Sequence, residues 1–259
     1  TGTNYVAWAW YAGTASAASN TDGNITSSVK ANQSAGFSIV TYSASTQASA
    51  SVGHGLNAVP AFIIAKSRNV SSNWYVWFPV LDNAGKINQT LYLNTTDDKD
   101  NVTEAWGHAS QMTTSTFGVH PTSGNATNNG NMLALVFTPI EGFSSFGSYT
   151  GNGDTNGNGT YVYTGMRPKF VLIKATSADS QNWYILDAAR DPHNLTANKL
   201  EPNTNNSENA SPNTATTNSL DLLSNGFKLK TSNDGTNKSN TTYAYAAFGE
   251  HPFRTARAR

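Results

Sequence analysis

Cysteine is absent from the 259 residues, and that one absence removes disulfides, thiolate metal sites and a cysteine nucleophile together. Charge is scarce as well. Asp, Glu, Lys and Arg make up 12% of the chain and cancel to a net charge of zero, against about 25% in an ordinary soluble domain. With no basic face, affinity cannot rest on neutralising phosphates, which argues against nucleic acid as a partner. No run approaches the ~20 apolar residues of a membrane span, so no membrane insertion is expected. Residues 1–13 have neither the basic start nor the leucine-rich centre of a signal peptide. Helix-period segments are also few: residues 48–53 are small and Ser-rich, and residues 220–224 offer one turn at most.

What is present is aromatic, β-branched and repeated. Aromatics reach 11%, and the chain is long enough to bury roughly 70–75% of its unfolded surface. NWYVWFPVLD at residues 73–82 returns as NWYILDAARD at residues 182–191, and other matches follow in the same order. Gly36-Phe37-Ser38 answers Gly142-Phe143-Ser144, and His54-Gly55-Leu56 with PAFIIAK answers Thr164-Gly165-Met166 with PKFVLIK. LYLN at 91–94 answers LEPN at 200–203, TFGV at 116–119 answers GFKL at 226–229, and LALVF at 133–137 answers AYAAF at 244–248. Offsets of 106 to 111 residues put all of these on one diagonal. A repeat of about 108 residues is too long for a solenoid unit and suits a small β-sandwich. Within each copy the segments are short and alternate with period two, with Gly/Asn/Asp clusters between them. The continuous apolar runs Phe62-Ile63-Ile64 and Phe170-Val171-Leu172-Ile173 suit strands covered on both faces.

The expected fold is therefore all-β: two tandem β-sandwich domains, residues 1–141 and 142–259. Residues 4–12 form a further closing-type strand, since YVAWAW resembles the segment that ends each copy. That third partial copy makes Thr1 an expected internal position of a longer polypeptide. Trp8, Phe62, Ile64, Trp74, Phe137, Phe170, Leu172, Trp183, Phe227 and Phe248 are the expected buried side chains.

Candidate chemistry is thin. Asp154-Thr155-Asn156-Gly157-Asn158-Gly159 opens like a calcium loop, with Asp154, Asn156 and Asn158 as oxygen ligands, but Gly165 stands where the bidentate Glu belongs. A hairpin tip between residues 146–149 and 161–163 is the plainer reading, and no cofactor is expected. Glu141, Glu250, Asp187 and Asp191 show no spacing that pairs two acids across a glycosidic bond, and the first copy has Phe78-Pro79-Val80-Leu81 where the second has Asp187-Ala188-Ala189-Arg190. A salt bridge or a strand-end hydrogen bond explains these acids with less. The histidines at 54, 108, 120, 193 and 251 are scattered, and no G-x-S-x-G elbow or phosphate loop occurs. Trp74, Tyr75, Trp77, Trp183 and Tyr184 could stack on sugars, although alternation sends half of them to the core.

NYVAWAW, GFSIVTY, NWYV, LYLN, IEGF, FGSYTGNG, VYTGMRPKFVLIK, NWYILDAARD, LLSNGFKL and YAYAAFGEHPF together resemble, almost end to end, the C-terminal domains of bacteriophage tail fibre-like virion proteins of marine and cyanobacterial phages. The resemblance implies concanavalin-like or jelly-roll-like sandwiches, a place on the virion after assembly in the host cytoplasm, and other virion proteins as partners. It also implies a homo-oligomer, with a trimer favoured, and supplies no catalytic set. The expected function is virion structure and host attachment as a tail fibre or receptor-binding component, through end loops at residues 152–158 and 203–218. Asn152, Asp154, Asn156, Asn158, Asn203 and Asn206 are the candidate contacts to a host glycan or envelope protein. A capsid-decorating or head-fibre role and a glycan depolymerase are the alternatives.

Overall fold

A computed structural model describes residues 5–47, 50–81, 89–99, 106–120, 130–154, 156–208 and 219–250. Among them the only helical elements are three-residue 3-10 turns, and the rest is strand and loop. The first copy contains β1 (Ala18–Asn20), β2 (Ser27–Asn32), β3 (Phe37–Ser43), β4 (Ala50–Gly53), β5 (Phe62–Ser67), β6 (Tyr75–Trp77), β7 (Leu91–Tyr92), β8 (Thr116–Val119) and β9 (Asn131–Phe137). The second contains β10 (Ser144–Thr150), β11 (Tyr161–Tyr163), β12 (Phe170–Ala175), β13 (Tyr184–Asp187), β14 (Leu220–Leu223), β15 (Gly226–Leu229) and β16 (Thr242–Phe248).

The repeat in sequence is a repeat in topology. The seven-stranded sheet runs β1-β2-β3-β9-β5-β6-β7 and the four-stranded sheet β10-β16-β12-β13, so the order β3-β9-β5-β6 recurs strand for strand. The smaller sheets, β4-β8 and β11-β15-β14, correspond in the same way. Two repeated glycines mark the shared turns. Gly36 and Gly142 have φ of 61° and 73° at the entry to the first large-sheet strand, and Gly55 and Gly165 have 71° and 73° after β4 and β11. L-side chains rarely adopt such angles.

The four sheets stack in layers. Tyr42 meets Phe117 edge-on at 6.0 Å between the seven-stranded sheet and β4-β8, and Phe227 meets Tyr149 at 6.0 Å and Tyr245 at 5.5 Å on the other side. In the middle the two large sheets face each other through Phe62 and Phe146 (5.7 Å) and Phe137 and Phe248 (5.7 Å). The four-stranded sheet is thus covered on both faces. Phe170, Leu172, Ala246 and Phe248 join the central core, while Val171, Ile173, Tyr243 and Tyr245 join an outer one. All six residues of β12 are buried, which is why its sequence is apolar at every position but Lys174. The chain turns from one copy to the next at the Ile140–Ser144 bridge, yet the central core contains side chains of both copies.

Two expectations are corrected here. Residues 5–13 form no strand. Instead the segment runs extended, with Trp8 packed edge-on to Phe170 (5.3 Å) and Trp10 in contact with Phe137 (5.9 Å), Phe170 (5.9 Å) and Phe248 (5.3 Å). Its aromatic alternation, which resembles a closing strand, serves to plug the seam between the large sheets. Trp74 is 40% exposed although its counterpart Trp183 is completely buried. Trp183 donates its indole N–H to the Tyr92 carbonyl at 2.8 Å, so the first copy covers it; among the described residues nothing covers Trp74 in the same way. Trp8 and Ile64 are partly buried, and the other seven expected core residues are buried.

Candidate functional site

The loop from Gly151 to Thr160 does not cap a hairpin. β10 belongs to the four-stranded sheet and β11 to the three-stranded one, so the loop crosses between layers and must hold its own shape. Its Asn and Asp side chains provide the means. The Asp154 carboxylate accepts the backbone N–H groups of Asn156 (2.8 Å) and Asn158 (3.0 Å) through one oxygen. Asn152 accepts from Asp154 N–H (3.1 Å) and donates to the Asn158 carbonyl (2.9 Å). Asn237 ties the loop to the body: its amide donates to Asn152 Oδ1 (3.0 Å), and its own Oδ1 accepts from Asn152 N–H (3.1 Å) and from the Thr160 hydroxyl (3.2 Å). These are Asx-type turns, in which a short polar side chain satisfies nearby backbone donors. Among the described residues no group of three His, Cys, Asp or Glu is placed to hold a metal ion.

Asn203 likewise serves the fold. Its Oδ1 accepts Trp183 N–H (3.0 Å) and its amide donates to Asn182 Oδ1 (2.7 Å). The first copy repeats this clasp: Asn94 accepts from Trp74 N–H (2.8 Å) and donates to Asn73 Oδ1 (3.0 Å). The recurrence of NW with a later Asn is therefore one backbone tie written twice. Asn206 is exposed and donates to Glu201 Oε2 at 2.8 Å. Burial alone would raise the Glu201 carboxyl, but hydrogen bonds from Asn206 and Lys199 hold it below the usual range. Residues 209–218 of the second candidate segment lie outside the described residues. The described parts of both segments lie at one end of the four-stranded sheet, where β10 finishes opposite the start of β16 and β13 begins. Asn152 follows β10 and Asn203 lies beside the start of β13, at opposite edges of the sheet, three strand spacings or roughly 14 Å apart. They share an end of the sandwich and do not converge on one site.

Asp187, Asp191 and Glu250 are engaged in local ties. Asp187 accepts from the N–H groups of Ala189 and Arg190 (both 3.0 Å) and pairs with the Arg190 guanidinium at 2.6 Å; Arg190 continues to Glu208 at 2.7 Å. Asp191 accepts from Ala197 and Asn198 N–H, both at 2.7 Å. Asp187 thus makes the expected salt bridge and Asp191 the expected hydrogen bonds. Glu250 pairs with Lys169 at 3.1 Å. His54 is enclosed in the turn after β4, where Nδ1 accepts Leu56 N–H (3.2 Å) and Nε2 lies 3.3 Å from the Thr113 carbonyl. Burial pushes its pKa down.

One buried cation escaped the sequence reading. Lys174 is fully enclosed, and its ammonium donates to the carbonyls of Thr96 (2.8 Å) and Gln181 (2.5 Å). It thereby joins the loop after β7 to the second copy. Burial pulls its pKa down to about 8, with Asp97, Asp98 and Asp179 pulling the other way. Its position in PKFVLIK, repeated as Lys66 in PAFIIAK, identified it as a strand residue but not as buried. Among the five proposed stacking aromatics, Tyr75, Trp77, Trp183 and Tyr184 are buried and only Trp74 reaches solvent. Tyr161 (44% exposed) and Tyr163 (66%) stand outward instead, as alternation around the buried Val162 would have indicated.

A family model for a domain of unknown function, DUF7483, matches residues 1–252. The chain therefore belongs to that family. No curated protein and no solved structure matches it.

Proposed function

We propose that this chain is a non-catalytic module of a bacteriophage particle, a tail fibre or receptor-binding component that combines structure with host attachment. The observation that carries the reading is where the repeat spends its most recurrent polar residues. The Asn73-Trp74-Asn94 and Asn182-Trp183-Asn203 clasps tie strand to loop through asparagine side chains, and the acids at and beyond the end of β13 close turns. Duplicated catalysis would repeat reactive groups; this chain repeats a scaffold and varies what lies outside it. The phage assignment rests on the sequence motifs named above. With it come exposure on the virion, other virion proteins as neighbours, a trimeric assembly, and a host surface glycan or envelope protein as the target.

A charge-poor surface suits a neutral target reached by hydrogen bonding and stacking, with useful affinity arising from several copies on one particle. The test compares the protein alone and fused to a trimerising coiled coil for retention on marine and cyanobacterial cells, at low and high salt. Retention of the trimer that resists salt is expected. Steep salt dependence would point to an anionic partner, no retention to a purely structural role, and release of reducing sugar from host polysaccharide to a depolymerase.

A further inference from the structure

The small outer sheets of the two copies share a register but differ in cover. In the first, Ser51 pairs with Gly118 and Gly53 with Thr116; in the second, Tyr161 pairs with Lys228 and Tyr163 with Gly226. The first copy's face is roofed by its own chain. A Cβ on Gly118 would come within 2.3 Å of the Trp106 carbonyl, and one on Gly53 would collide with the Asn20 side chain. Gln111 ties this roof down by donating to the Ala50 carbonyl at 2.9 Å. The second copy keeps the sheet and replaces the small residues with tyrosines that stay in solvent.

We propose that this outward face of β11, β15 and β14 binds one or two pyranose rings of a neutral glycan, with Tyr161 and Tyr163 as stacking platforms. The two rings project from the same side of an edge strand, about 7 Å apart along it. Each rests on a glycine: the Tyr161 hydroxyl is 3.1 Å from where a Gly226 Cβ would stand, and the Tyr163 ring is 3.6–3.9 Å from that of Gly165. Such rings present an apolar face with a polar rim, the complement of a sugar's C–H face and its hydroxyls. Hydrogen-bonding groups of both kinds lie in register beside Tyr161, namely Lys228 and then Asp221, with Asp221 neutralised by Lys230 at 3.2 Å.

Size decides the occupant. Two strand spacings by three or four residues give roughly 100–150 Å², whereas each partner in a stable protein interface contributes about 800 Å². A sugar ring or two fits; a protein face does not. This inference rests on the attachment reading and gives it a location.

The experiment titrates the full chain, labelled with fluorotyrosine, with maltohexaose, cellohexaose and a galacto-oligosaccharide. Resonances assigned to Tyr161 and Tyr163 through their Phe variants should shift saturably with at least one sugar, unchanged by salt. Tyr161→Ala combined with Tyr163→Ala should weaken binding about tenfold or more, while Tyr5→Ala and Tyr11→Ala leave it unchanged. No saturable shift with any of the three sugars, or equal affinity in the double variant, overturns the proposal. If the trimerised double variant still adheres to cells, attachment stands and its site lies elsewhere. If the parent trimer does not adhere, the attachment reading falls while the titration still judges this face.

Discussion

The two copies differ most where they are least needed to fold. Both have the same four-strand frame, the same positive-φ glycines and the same asparagine clasp. They part at the outer sheet, roofed in one and, among the described residues, open at Tyr161 and Tyr163 in the other, and after the tryptophan strand. There the first copy places Phe78 against Phe62 at 4.7 Å, while the second closes a polar turn on Asp187 and Arg190. They part also at the lysine of the central strand. Lys66 is half-buried and donates to the Ser67 carbonyl (3.0 Å) and the Ser72 hydroxyl (3.3 Å) within its own copy, whereas Lys174 reaches across to the other. A duplicated frame fixes the packing, so sequence is free to change at edges and seams.

The largest effect should come from the residue that makes the frames one body. Phe137 is 3% exposed and touches Phe37, Phe62, Phe146, Phe248 and Trp10. Phe137→Ala should cost roughly 3–5 kcal/mol through lost transfer energy and a cavity. Because the central core draws on both copies, amides of β3 and β12 should lose hydrogen-exchange protection together. Protection lost in the first copy alone would show that the copies are energetically independent despite their shared core.

Next in size is a pH effect confined to the seam. Lys174 has a folded pKa of about 8 against an ordinary 10.5, so between those values the unfolded chain holds the proton more tightly and stability rises with pH. Below about pH 8 both states are protonated and the slope vanishes. The gain from pH 7 to 9.5 should be about 2 kcal/mol, read from urea midpoints, and Lys174→Met should abolish it while Lys66→Met leaves it in place. An unchanged slope in Lys174→Met would mean that the ammonium is not desolvated at the seam.

Smaller still are the clasps. Asn203→Ala and Asn94→Ala each remove an acceptor from a tryptophan N–H, and each should cost roughly 0.5–1.5 kcal/mol. Near-equal losses in thermal melts would confirm that the two sites perform one task. If Asn203→Ala alone impaired cell retention without loss of stability, it would belong to a binding surface after all.

The sequence made this duplication legible because strand alternation and glycine angles are local properties. Phe170-Val171-Leu172-Ile173 announced a doubly covered strand without saying what would cover it. What it could not disclose was the stacking of the copies: Trp74 and Trp183 read alike, and only the neighbouring layer separates an exposed ring from a buried one. The same limit hid Lys174, whose repeat partner Lys66 has an ordinary environment. The repeat did carry one unused signal. Asn203 answered Asn94 across the diagonal, and a residue shared by two copies with different flanks belongs more to the frame than to recognition.

The smallest effect tests the loop that resembles a calcium site. Asp154 uses one oxygen to accept Asn156 and Asn158 N–H, a role that an amide oxygen fills equally well. Asp154→Asn should therefore shift stability by less than about 0.5 kcal/mol, and Asp154→Ala, which strands both donors near solvent, by about 1 kcal/mol. A chelator should leave the melts of the parent and both variants unmoved, and added calcium should do the same. A bound cation would reverse this ranking: the parent would melt higher in calcium, and Asp154→Asn, which removes the loop's one formal charge, would lose that increment almost as fully as Asp154→Ala. The asparagine variant therefore separates a loop built by its own hydrogen bonds from one built around an ion, and in the former case the second copy's distinguishing surface lies beyond it, on the tyrosine face.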